Sequence, residues 1–595
     1  MQVYRAPLRD QQFVLFELLD ITARLADLGT GCDATRADID ALMNEAARFV
    51  QTVLLPLNQS GDREGCRLLS GVIVTPAGFP EAFRRYADAG WLGAPHRPEH
   101  GGQGLPNVLA FLLHEMLGSA NLAFSDYVAL SNFAYQLLRK HGSERLRAAY
   151  LEQLTTGRVA AAMCMTEAHC GSDIGLVRTR AEPSAGDTFA LHGQKCFISG
   201  ADHDLTHNKI YLVLARLPGA PAGTKGLTLF LVPKHLNGTA GDSGASNGVQ
   251  VTGLEHKHGY SASATCGLSF AGAHGWIVGD AHQGMRAMFD MMNPLRLIVA
   301  GQGMFCSEAA YQSAATYARQ RLQGRAPRGA RFPDRYADPL LVHPDVRRIL
   351  MAARAFTEGA RALYLWAALT IDESESHHCR TRRREAAELL ELVTPVLKSV
   401  MSDCGVATCG ECLQVFGGHG YIRDTGVEQY LRDVRLAPIQ EGANGVLALG
   451  MIVRELVRHR SDAYARLLKE ICSTVTDLEA GAVGRWAQDL AAAVDALDDT
   501  TAWLTERARG DLDEAAVAGT DYLRLFGLVL FGWMWLRMAH VAAIKASATG
   551  DVYYTHKLST ARYFFERVLP MRRALTVVIR AGGAAVTRPG MDYFL

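Results

Sequence analysis

The stretch Gln414–Gly445 reads QVFGGHGYIRDTGVEQYLRDVRLAPIQEGANG, and the interpretation of the whole chain starts from it. It places two adjacent glycines, Gly417 and Gly418, before a charged helical segment, and a lone acid, Glu441, after the apolar run Leu436–Ile439. Glycine lets a backbone approach a phosphate closely, and apolar surroundings raise the pKa of a carboxylate towards the range of a general base. The stretch therefore predicts a cofactor site beside a base.

Composition and charge describe an ordinary globular chain. Its 595 residues are 49% hydrophobic and 21% charged, which fits roughly three to four domains with large cores. Lys and Arg together number 61, as do Asp and Glu together, so the formal net charge is zero. This balance argues against a polyanion as the main partner, and no nucleic-acid partner is expected.

The N-terminal sequence and the longest apolar run bear on location. The first residues, MQVYRAPLRDQQF, lack the apolar core of a signal peptide, so a soluble cytoplasmic protein is expected. The run Leu525–Leu536 is far shorter than the ~20 residues that span a bilayer. It predicts a buried helix or a subunit interface, and no transmembrane segment is expected.

Two groups of residues have the spacing of metal ligands. Cys404, Cys409 and Cys412 are spaced as in plant-type ferredoxins, but apolar residues at helical spacing surround them, which favours helix packing over an iron–sulfur cluster. His203 and His207 could share a metal only on a helix with further ligands, and the neighbouring acids favour a solvated loop. We predict no metal site.

Hydrophobic periodicity predicts four domains. Residues 1–160 have helical spacing, 161–283 contain short strands separated by turns, 284–460 return to helical spacing, and 461–595 form a further helical block. Seven strands at such spacing predict a small barrel or sandwich. The predicted strands are Val159–Thr166, Thr188–Leu191, Lys195–Ser199, Lys209–Ala215, Gly226–Val232, Gly248–Gly253 and Thr265–Phe270. The loop His96–Pro106, rich in Gly, Pro and His, fits either a mobile loop near a ligand or a plain helix connector.

Six motifs occur along the chain. They are MTEAHCGSDIGLVRTRAE at Met165–Glu182, HGQKCFISG at His192–Gly200, EHKHGYSASAT at Glu255–Thr265, GMRAMFDMMNPLR at Gly284–Arg296, YARQR at Tyr317–Arg321, and QVFGG with QEGANG in the opening stretch. In this order they resemble the acyl-CoA dehydrogenase family over about residues 40–455.

The resemblance implies an α+β fold with an α-helical N-terminal domain, a middle β-barrel or sandwich domain and a C-terminal four-helix bundle, here followed by an extra helical C-terminal domain. Three parts of the chain resemble a long subgroup of the family, whose substrates include 3-methylmercaptopropionyl-CoA. They are YRAPLRDQQFVLFELL at Tyr4–Leu19, FISGADHDLTHNKIYLVLARLPGAPAGTKG at Phe197–Gly226, and the extra C-terminal domain.

The resemblance implies a base, a cofactor and a reaction. Glu441 matches the family's catalytic base, which removes the proton α to an acyl-CoA thioester while a hydride leaves the β carbon for FAD, giving a trans-2-enoyl-CoA. Hydrogen bonds must stabilise the thioester oxygen as charge develops there, and the family uses the base's own backbone N–H and a flavin hydroxyl. The acyl group, 3-methylmercaptopropionyl or a medium- or long-chain fatty acyl, stays open.

The resemblance also implies the residues that bind FAD and substrate. Phe197 stands where a family tryptophan stacks on the flavin ring, and Ser199 where a threonine bonds near N5. Positions that match the flavin surroundings are Met165, Thr166, Gly171 and Ser172. Positions that reach the FAD pyrophosphate and adenosine of a neighbouring subunit, and so imply a homodimer or tetramer, are Arg321, Gln414, Gly417 and Gly418. Positions on the CoA and substrate side are Ser172, Asn293 and Arg296.

Besides Phe197 and Ser199, four further positions depart from the family pattern. His169 and Cys170 replace small residues in the motif Met165–Glu182, and Gln440 and Ala443 replace a tyrosine and a threonine beside the base. These changes affect the expected shape of the substrate site, whereas the acid itself is retained.

Several functional alternatives stay open. An acyl-CoA oxidase would share the base and FAD but pass electrons to oxygen rather than to the electron-transfer flavoprotein expected here. A non-catalytic acyl-CoA-binding or scaffold protein would not need Glu441. A DNA-associated flavoprotein of the alkylation-response type would use a basic C-terminal domain, although these arginines favour a subunit or intramolecular surface: Arg562, Arg567, Arg572, Arg573 and Arg580.

Overall fold

The computed structural model describes residues 2–29, 34–236, 244–458 and 462–594. The chain forms two compact units, one made of Met1–Glu45 with Val299–Leu595 and the other of Ala46–Ile298. The α+β class is confirmed. The helices are α1 Leu8–Gln12, α2 Ile21–Leu28, α3 Arg36–Phe49, α4 Leu55–Glu64, α5 Phe79–Asp88, α6 Asn107–Ala120, α7 Leu122–His141, α8 Glu144–Thr155, α9 Gly284–Gln320, α10 Pro344–Ser376, α11 Arg380–Gln414, α12 Glu428–Val434, α13 Asn444–Met451, α14 Ala463–Leu478, α15 Gly484–Gly510, α16 Leu512–Val517, α17 Gly519–Thr549, α18 Val552–Tyr563, α19 Arg572–Arg580 and α20 Ala584–Thr587.

The unit Ala46–Ile298 contains the predicted β domain. Its large sheet has seven strands. Six of them pair side by side in the order β10-β11-β5-β4-β6-β3, and the seventh, β7, pairs with both β11 and β6. These pairings close a ring of β11, β5, β4, β6 and β7. Its core consists of buried side chains such as Leu191, Val213, Phe230 and Leu268. The strands are β1 Arg67–Leu69, β2 Val72–Val74, β3 Val159–Cys164, β4 Arg180–Pro183, β5 Phe189–Ser199, β6 Asn208–Arg216, β7 Leu227–Pro233, β8 His235–Leu236, β9 Ala245–Ser246, β10 Val249–Leu254 and β11 Thr265–Ile277.

The large sheet has seven strands, as many as were predicted, but they are partly different strands, and the two-stranded sheets β1-β2 and β8-β9 were not predicted. The predicted pair Thr188–Leu191 and Lys195–Ser199 is one strand, β5, because Gly193 continues the ladder opposite Phe270 instead of turning. A Cβ at Gly193 would lie 2.4 Å from Thr179 Oγ1, so glycine is required there for close packing. The strand β4 was not predicted.

The segment with His203 and His207 is a loop, as predicted, and His207 is exposed, but the prediction that the whole loop is solvated is wrong. Asp202 and His203 are buried, and the His203 ring lies edge-on to Tyr127 with centroids 5.0 Å apart. Lys234 donates to Asp202 at 2.7 Å, and burial lowers the pKa of His203 well below its usual value. The polar residues of this segment suggested exposure, but Asp202 can be buried because it pairs with Lys234, which is distant in the sequence.

The loop His96–Pro106 is fixed to α7. The His96 ring stacks on Tyr135 with centroids 3.7 Å apart, and His100 Nδ1 lies 2.8 Å from the Tyr135 hydroxyl. These contacts favour the connector interpretation over a mobile loop.

The unit that contains Val299–Leu595 is built on long helices. Trp366 of α10 meets Trp533 of α17 edge to face at 5.3 Å, and Trp535 Nε1 donates to the carbonyl of Ala355 at 3.1 Å. Helix α17 is the one described helix that is long and apolar enough to cross a bilayer, but 78% of its most apolar window is buried inside the protein. The apolar run in α17 thus forms a buried helix, as expected.

The N-terminal segment Met1–Glu45 belongs to the same unit as Val299–Leu595. Arg361 donates to Asp10 at 2.6 Å and to Glu308 at 3.0 Å, and Lys557 pairs with both Asp10 and Glu358. All five side chains are almost fully buried. Opposite charges therefore compensate one another in a core that joins the N-terminal segment, α9, α10 and α18.

Candidate active site

Glu441 lies in a tight turn between Val434, the last residue of α12, and α13. The turn follows the run Leu436–Ile439, in which Ala437 is buried but Ile439 is 56% exposed. Glu441 has a φ of +53° and Gly442 a φ of +98°, two consecutive left-handed positions. A residue other than glycine rarely adopts such a φ, and strained positions of this kind cluster at functional sites. The half-buried carboxylate is thus held in an unusual backbone geometry.

The turn is bonded to α11. Lys398 Nζ donates to the carbonyl of Gly442 at 2.8 Å and to Asn444 Oδ1 at 3.0 Å, and Lys398 is fully buried. Neither Lys398 nor Asn444 was predicted as a site residue. The available signal was a lysine among apolar residues in TPVLKSVM, because a buried ammonium must be matched by acceptors.

The unusual neighbours of the base have defined places. Gln440 Nε2 donates to Gln302 Oε1 at 2.6 Å, which ties the residue before the base to α9. Ala443 precedes α13 with a φ of −55° and a ψ of 143° and leads the chain into that helix. A glutamine in the tyrosine position therefore forms a hydrogen bond within the protein.

In the unit Ala46–Ile298, the motif segment Met165–Glu182 is hydrogen-bonded to strand β5. The backbone N–H of Cys196 donates to the carbonyl of Thr166 at 3.0 Å, and Lys195 Nζ donates to the carbonyl of Met165 at 3.0 Å. Lys195 also donates to Glu167 Oε1 at 2.9 Å. Met165 and Thr166 are therefore brought alongside the strand that carries Phe197.

Glu167 is the centre of this junction. Besides Lys195, it accepts hydrogen bonds from the backbone of Arg178 and from the backbone and hydroxyl of Thr179 at 2.6 to 3.0 Å. Burial raises the pKa of Glu167, but Lys195 and these hydrogen bonds outweigh it and lower the pKa to about 2. The pair of Glu167 and Lys195 was not predicted from the sequence, although Lys195 stands at an inward position of an alternating strand.

Phe197 lies at a bulge in β5. Between the pairs Lys195↔Leu268 and Ile198↔Cys266, β5 has one residue more than β11, and Phe197 has a φ of +57°. A bulge reorients a side chain, and the Phe197 ring is 64% exposed whereas Ile198 is buried. The ring thus offers a free apolar face.

The remaining predicted residues of this unit occupy exposed or half-buried positions. Gly171 and Ser172 are exposed, and within the described part of the chain no atom beyond the neighbouring residues lies within 4 Å of a Cβ built on Gly171. Ser199, half-buried, ends β5. On α9, Arg296 Nη1 donates to Asn293 Oδ1 at 3.1 Å, so these two predicted substrate residues lie side by side.

In the other unit, the end of α9 meets the glycine turn. The Tyr317 ring stacks on Phe416 with centroids 4.4 Å apart, and Arg321 lies one helical turn after Tyr317. Gln414 is the last residue of α11 and is exposed, as are the glycines that follow Phe416. The stack places the end of α9, which leads to Arg321, beside the turn that carries Gln414, Gly417 and Gly418.

These residues fit the flavin nucleotide that the resemblance implies. Phe197 presents a free aromatic face to a flat ring, and a hydroxyl, that of Ser199, lies two residues away. Apart from their chain neighbours, no atom of the described residues lies within 4 Å of a Cβ built on Gly417 or Gly418, so the backbone there is open to a phosphate. Arg321 is exposed and would supply a positive charge to that phosphate.

Two cysteine-containing groups have structural roles. Cys409 and Cys412 are buried in α11, and burial raises the pKa of both thiols, as expected for helix-packing residues. Glu167, His169 and Cys170 place ligand atoms within 4.8 Å of one another. Lys195 and Thr179 already donate hydrogen bonds to the Glu167 carboxylate, so Glu167 serves the ion pair with Lys195.

Known proteins resemble the chain over nearly its full length. Family models match at residues 36–158 (acyl-CoA dehydrogenase, N-terminal domain), 162–273 (middle domain), 282–457 (C-terminal domain) and 467–588 (acetyl-CoA dehydrogenase C-terminal like). The 3-methylmercaptopropionyl-CoA dehydrogenase of Ruegeria pomeroyi is 37% identical, over 95% of this chain and 96% of that protein. The broad-specificity linear acyl-CoA dehydrogenase FadE5 of Mycobacterium tuberculosis is 33% identical, over 97% and 98%.

Solved structures share the fold. An acyl-CoA dehydrogenase of Bacillus anthracis in complex with FAD covers 94% of this chain and 90% of its own at 19% identity, with a TM-score of 0.74. ACDH-11 of Caenorhabditis elegans in complex with C11-CoA covers 96% and 92% at 20% identity, also with a TM-score of 0.74. The long relatives confirm the subgroup expected from the sequence. The chain therefore belongs to the acyl-CoA dehydrogenase family, FAD-dependent oxidoreductases that act on CH–CH groups.

Proposed function

We propose that this protein oxidises the α,β bond of an acyl-CoA thioester to the trans-2-enoyl-CoA, with Glu441 as the base. The observation that carries the assignment is the turn at Glu441 and Gly442. Both residues have a left-handed backbone conformation, and Lys398 of α11 bonds to the carbonyl of Gly442. A carboxylate held at a fixed position can take the α proton as the negative charge shifts to the thioester oxygen. FAD, when bound, accepts the hydride that leaves the β carbon.

The chain's own groups have two further tasks. The backbone N–H of Glu441 donates a hydrogen bond to the thioester carbonyl, which stabilises the charge that develops there. Exclusion of water from the closed site keeps the carboxylate basic. The residues proposed to hold FAD are Met165, Thr166, Gly171, Ser172, Phe197 and Ser199 from one subunit and Arg321, Gln414, Gly417 and Gly418 from its neighbour, and those proposed to face the substrate are Ser172, Asn293 and Arg296.

For the acyl group, we propose 3-methylmercaptopropionyl or a linear fatty acyl chain. Support comes from the relatives, which are named for 3-methylmercaptopropionyl-CoA and for broad-specificity linear acyl-CoA. The four-domain division at residues 160, 283 and 460 belongs to the same proposal. We further propose a cytoplasmic homodimer or tetramer that passes its electrons to an electron-transfer flavoprotein.

The test is anaerobic bleaching of the flavin absorption band by a panel of short, medium, long, aromatic and thioether acyl-CoAs. Wild-type holoenzyme is expected to bleach with at least one of them, and Glu441→Gln to bind the same thioester without bleaching. No bleaching with any member of the panel would overturn the assignment. Hydrogen peroxide formed in step with enoyl-CoA in air would identify an oxidase instead.

A further inference from the structure

A buried cation bonds to the turn that holds Glu441. The Lys398 ammonium donates a charge-assisted hydrogen bond to the carbonyl of Gly442, the residue after the base. This carbonyl belongs to the second of two consecutive left-handed residues, a backbone conformation that persists only where the surroundings hold it. Lys398 therefore sets the orientation of the peptide between Gly442 and Ala443, which follows this left-handed pair.

Asn444, the first residue of α13, is bonded to the same lysine and to three further groups of α11. Its Oδ1 accepts from Lys398 Nζ, and its Nδ2 donates to the carbonyl of Ser399 at 3.2 Å, to Ser402 Oγ at 3.0 Å and to Asp403 Oδ1 at 2.9 Å. Because the amide oxygen faces a donor and the amide nitrogen faces acceptors, only one orientation of the side chain satisfies the set. The turn is thus bonded to α11 at two successive points.

Helix α17 of the extra C-terminal block packs against α11 and α13, the two helices that are bonded to each other beside this turn. A Cβ on Gly527 of α17 would lie 2.6 Å from Val400 of α11, and a Cβ on Gly519 would lie 3.2 Å from Ala448 of α13. Arg524 of α17 also lies 3.6 Å from Asp403. Since α11 carries Lys398 and α13 begins at Asn444, the block limits the movement of both helices.

We propose that Lys398 is a positioning residue for proton abstraction by Glu441, and that α17 of the extra C-terminal block supports it. The inference rests on the assignment of Glu441 as the base. The Lys398 ammonium neither gives nor takes a proton in the reaction. It fixes the Gly442 carbonyl, and with it the direction of the Glu441 carboxylate and backbone N–H towards the thioester.

The test isolates proton abstraction from the rest of the reaction. A 3-thiaacyl-CoA has sulfur at the β position and so has no β hydride to lose, but its α protons can still exchange with deuterium oxide. The FAD-loaded wild type is expected to catalyse this exchange. Lys398→Met is expected to exchange about 100-fold more slowly, the effect of a displacement of about 1 Å, with the dissociation constant of the probe changed by less than about threefold. Lys398→Arg, which keeps a charged donor, is expected to exchange faster than Lys398→Met.

Lys557→Met is the matched control. It also removes a fully buried ammonium from the same unit, but its partners are Asp10 and Glu358 rather than the turn. We expect it to lower the melting temperature while the holoenzyme keeps its exchange rate within about threefold of wild type. Exchange in Lys398→Met at the wild-type rate, or an equal fall in both variants, would overturn the positioning role.

Two outcomes remain to be separated. If Lys398→Met gives no soluble holoenzyme, Asn444→Ala is measured in the same assay, and an exchange rate equal to wild type then contradicts the proposal. If wild type exchanges no faster than Glu441→Gln, the assignment of the base has failed, and the result does not bear on Lys398 alone.

Discussion

The ammonium of Lys195 lies 2.9 Å from a carboxylate oxygen of Glu167, and both side chains are buried. The pair joins strand β5 to the segment Met165–Thr166, on which the proposed flavin contacts depend. Lys195→Met would leave a buried carboxylate without its counter-charge, which typically costs about 3–5 kcal/mol. We expect a lower free energy of unfolding and a lower ratio of FAD to protein, measured by urea titration and by absorbance.

The exposed Lys225 supplies the control for that variant. Lys225→Met is expected to retain both the wild-type stability and the wild-type FAD content. The double variant Glu167→Leu with Lys195→Met is expected to be more stable than Lys195→Met alone, because it leaves no unpaired charge. If Lys195→Met matched wild type in both measurements, the pair would have no structural role.

The bulge at Phe197 predicts a loss of cofactor affinity without a loss of stability. The ring is 64% exposed, so Phe197→Ala removes little packing within the protein. A stacked aromatic pair contributes about 0.5–1.5 kcal/mol, so we expect FAD to bind roughly two- to tenfold more weakly. Titration of apoprotein with FAD, followed by flavin fluorescence, measures this change. Leu69→Ala, at a similarly exposed position of the same unit, should leave FAD affinity unchanged.

The buried Asp10 makes stability depend on acidity. Burial raises its pKa, but Lys557 and Arg361 lower the pKa well below the usual value of 3.8. The stabilisation is therefore fully present above that value and is lost as the pH falls below it. We expect the melting temperature to fall as the pH is lowered from about 5 to about 3.

Asp10→Asn tests this assignment. The variant is expected to be destabilised at neutral pH, because Lys557 loses a counter-charge, and to show a smaller fall in melting temperature with acid. Part of the fall should remain, since the pKa of Glu167 is also lowered, to about 2. An acid response identical to that of wild type would contradict the role of Asp10.

The contact between α17 and α11 predicts the effect of added volume. A Cβ at Gly527 would lie 2.6 Å from Val400, so Gly527→Val must force the helices apart, at a cost of about 1–3 kcal/mol. At Gly510, the last residue of α15, nothing lies within 4 Å of a Cβ. Gly510→Val should therefore change the free energy of unfolding by less than about 1 kcal/mol. Equal effects in urea titrations would show that the two helices can separate without cost.

Local patterns predicted the elements well and their long-range partners poorly. Helical spacing located the helical blocks, the apolar run Leu525–Leu536 located part of α17, and the motif order located the turn at Glu441, because these signals lie within short stretches of sequence. The bulge at Phe197 depends on a register shift against β11, and the burial of His203 depends on partners far along the chain. No local period encodes such pairings.

The site residues divide in the same way. Glu441 was predicted from its motif, whereas Lys398 was not, because its importance arises from a carbonyl 44 residues further along the chain. Arg321 and the Gly417 turn were predicted as separate matches, and the stack of Tyr317 on Phe416 brings their segments together. Motifs thus identified residue types, while the structure supplied the groups that hold them.

The contact between Asp10 and Lys557 spans 547 positions of the chain. During synthesis, Asp10 leaves the ribosome long before Lys557. The unit Ala46–Ile298 is continuous and can fold before the later helices are made, whereas the helical unit can close only after α18 has emerged. Ribosome-bound chains that end before α18 should therefore expose the N-terminal segment to proteases, and chains in which α18 has emerged should bury it.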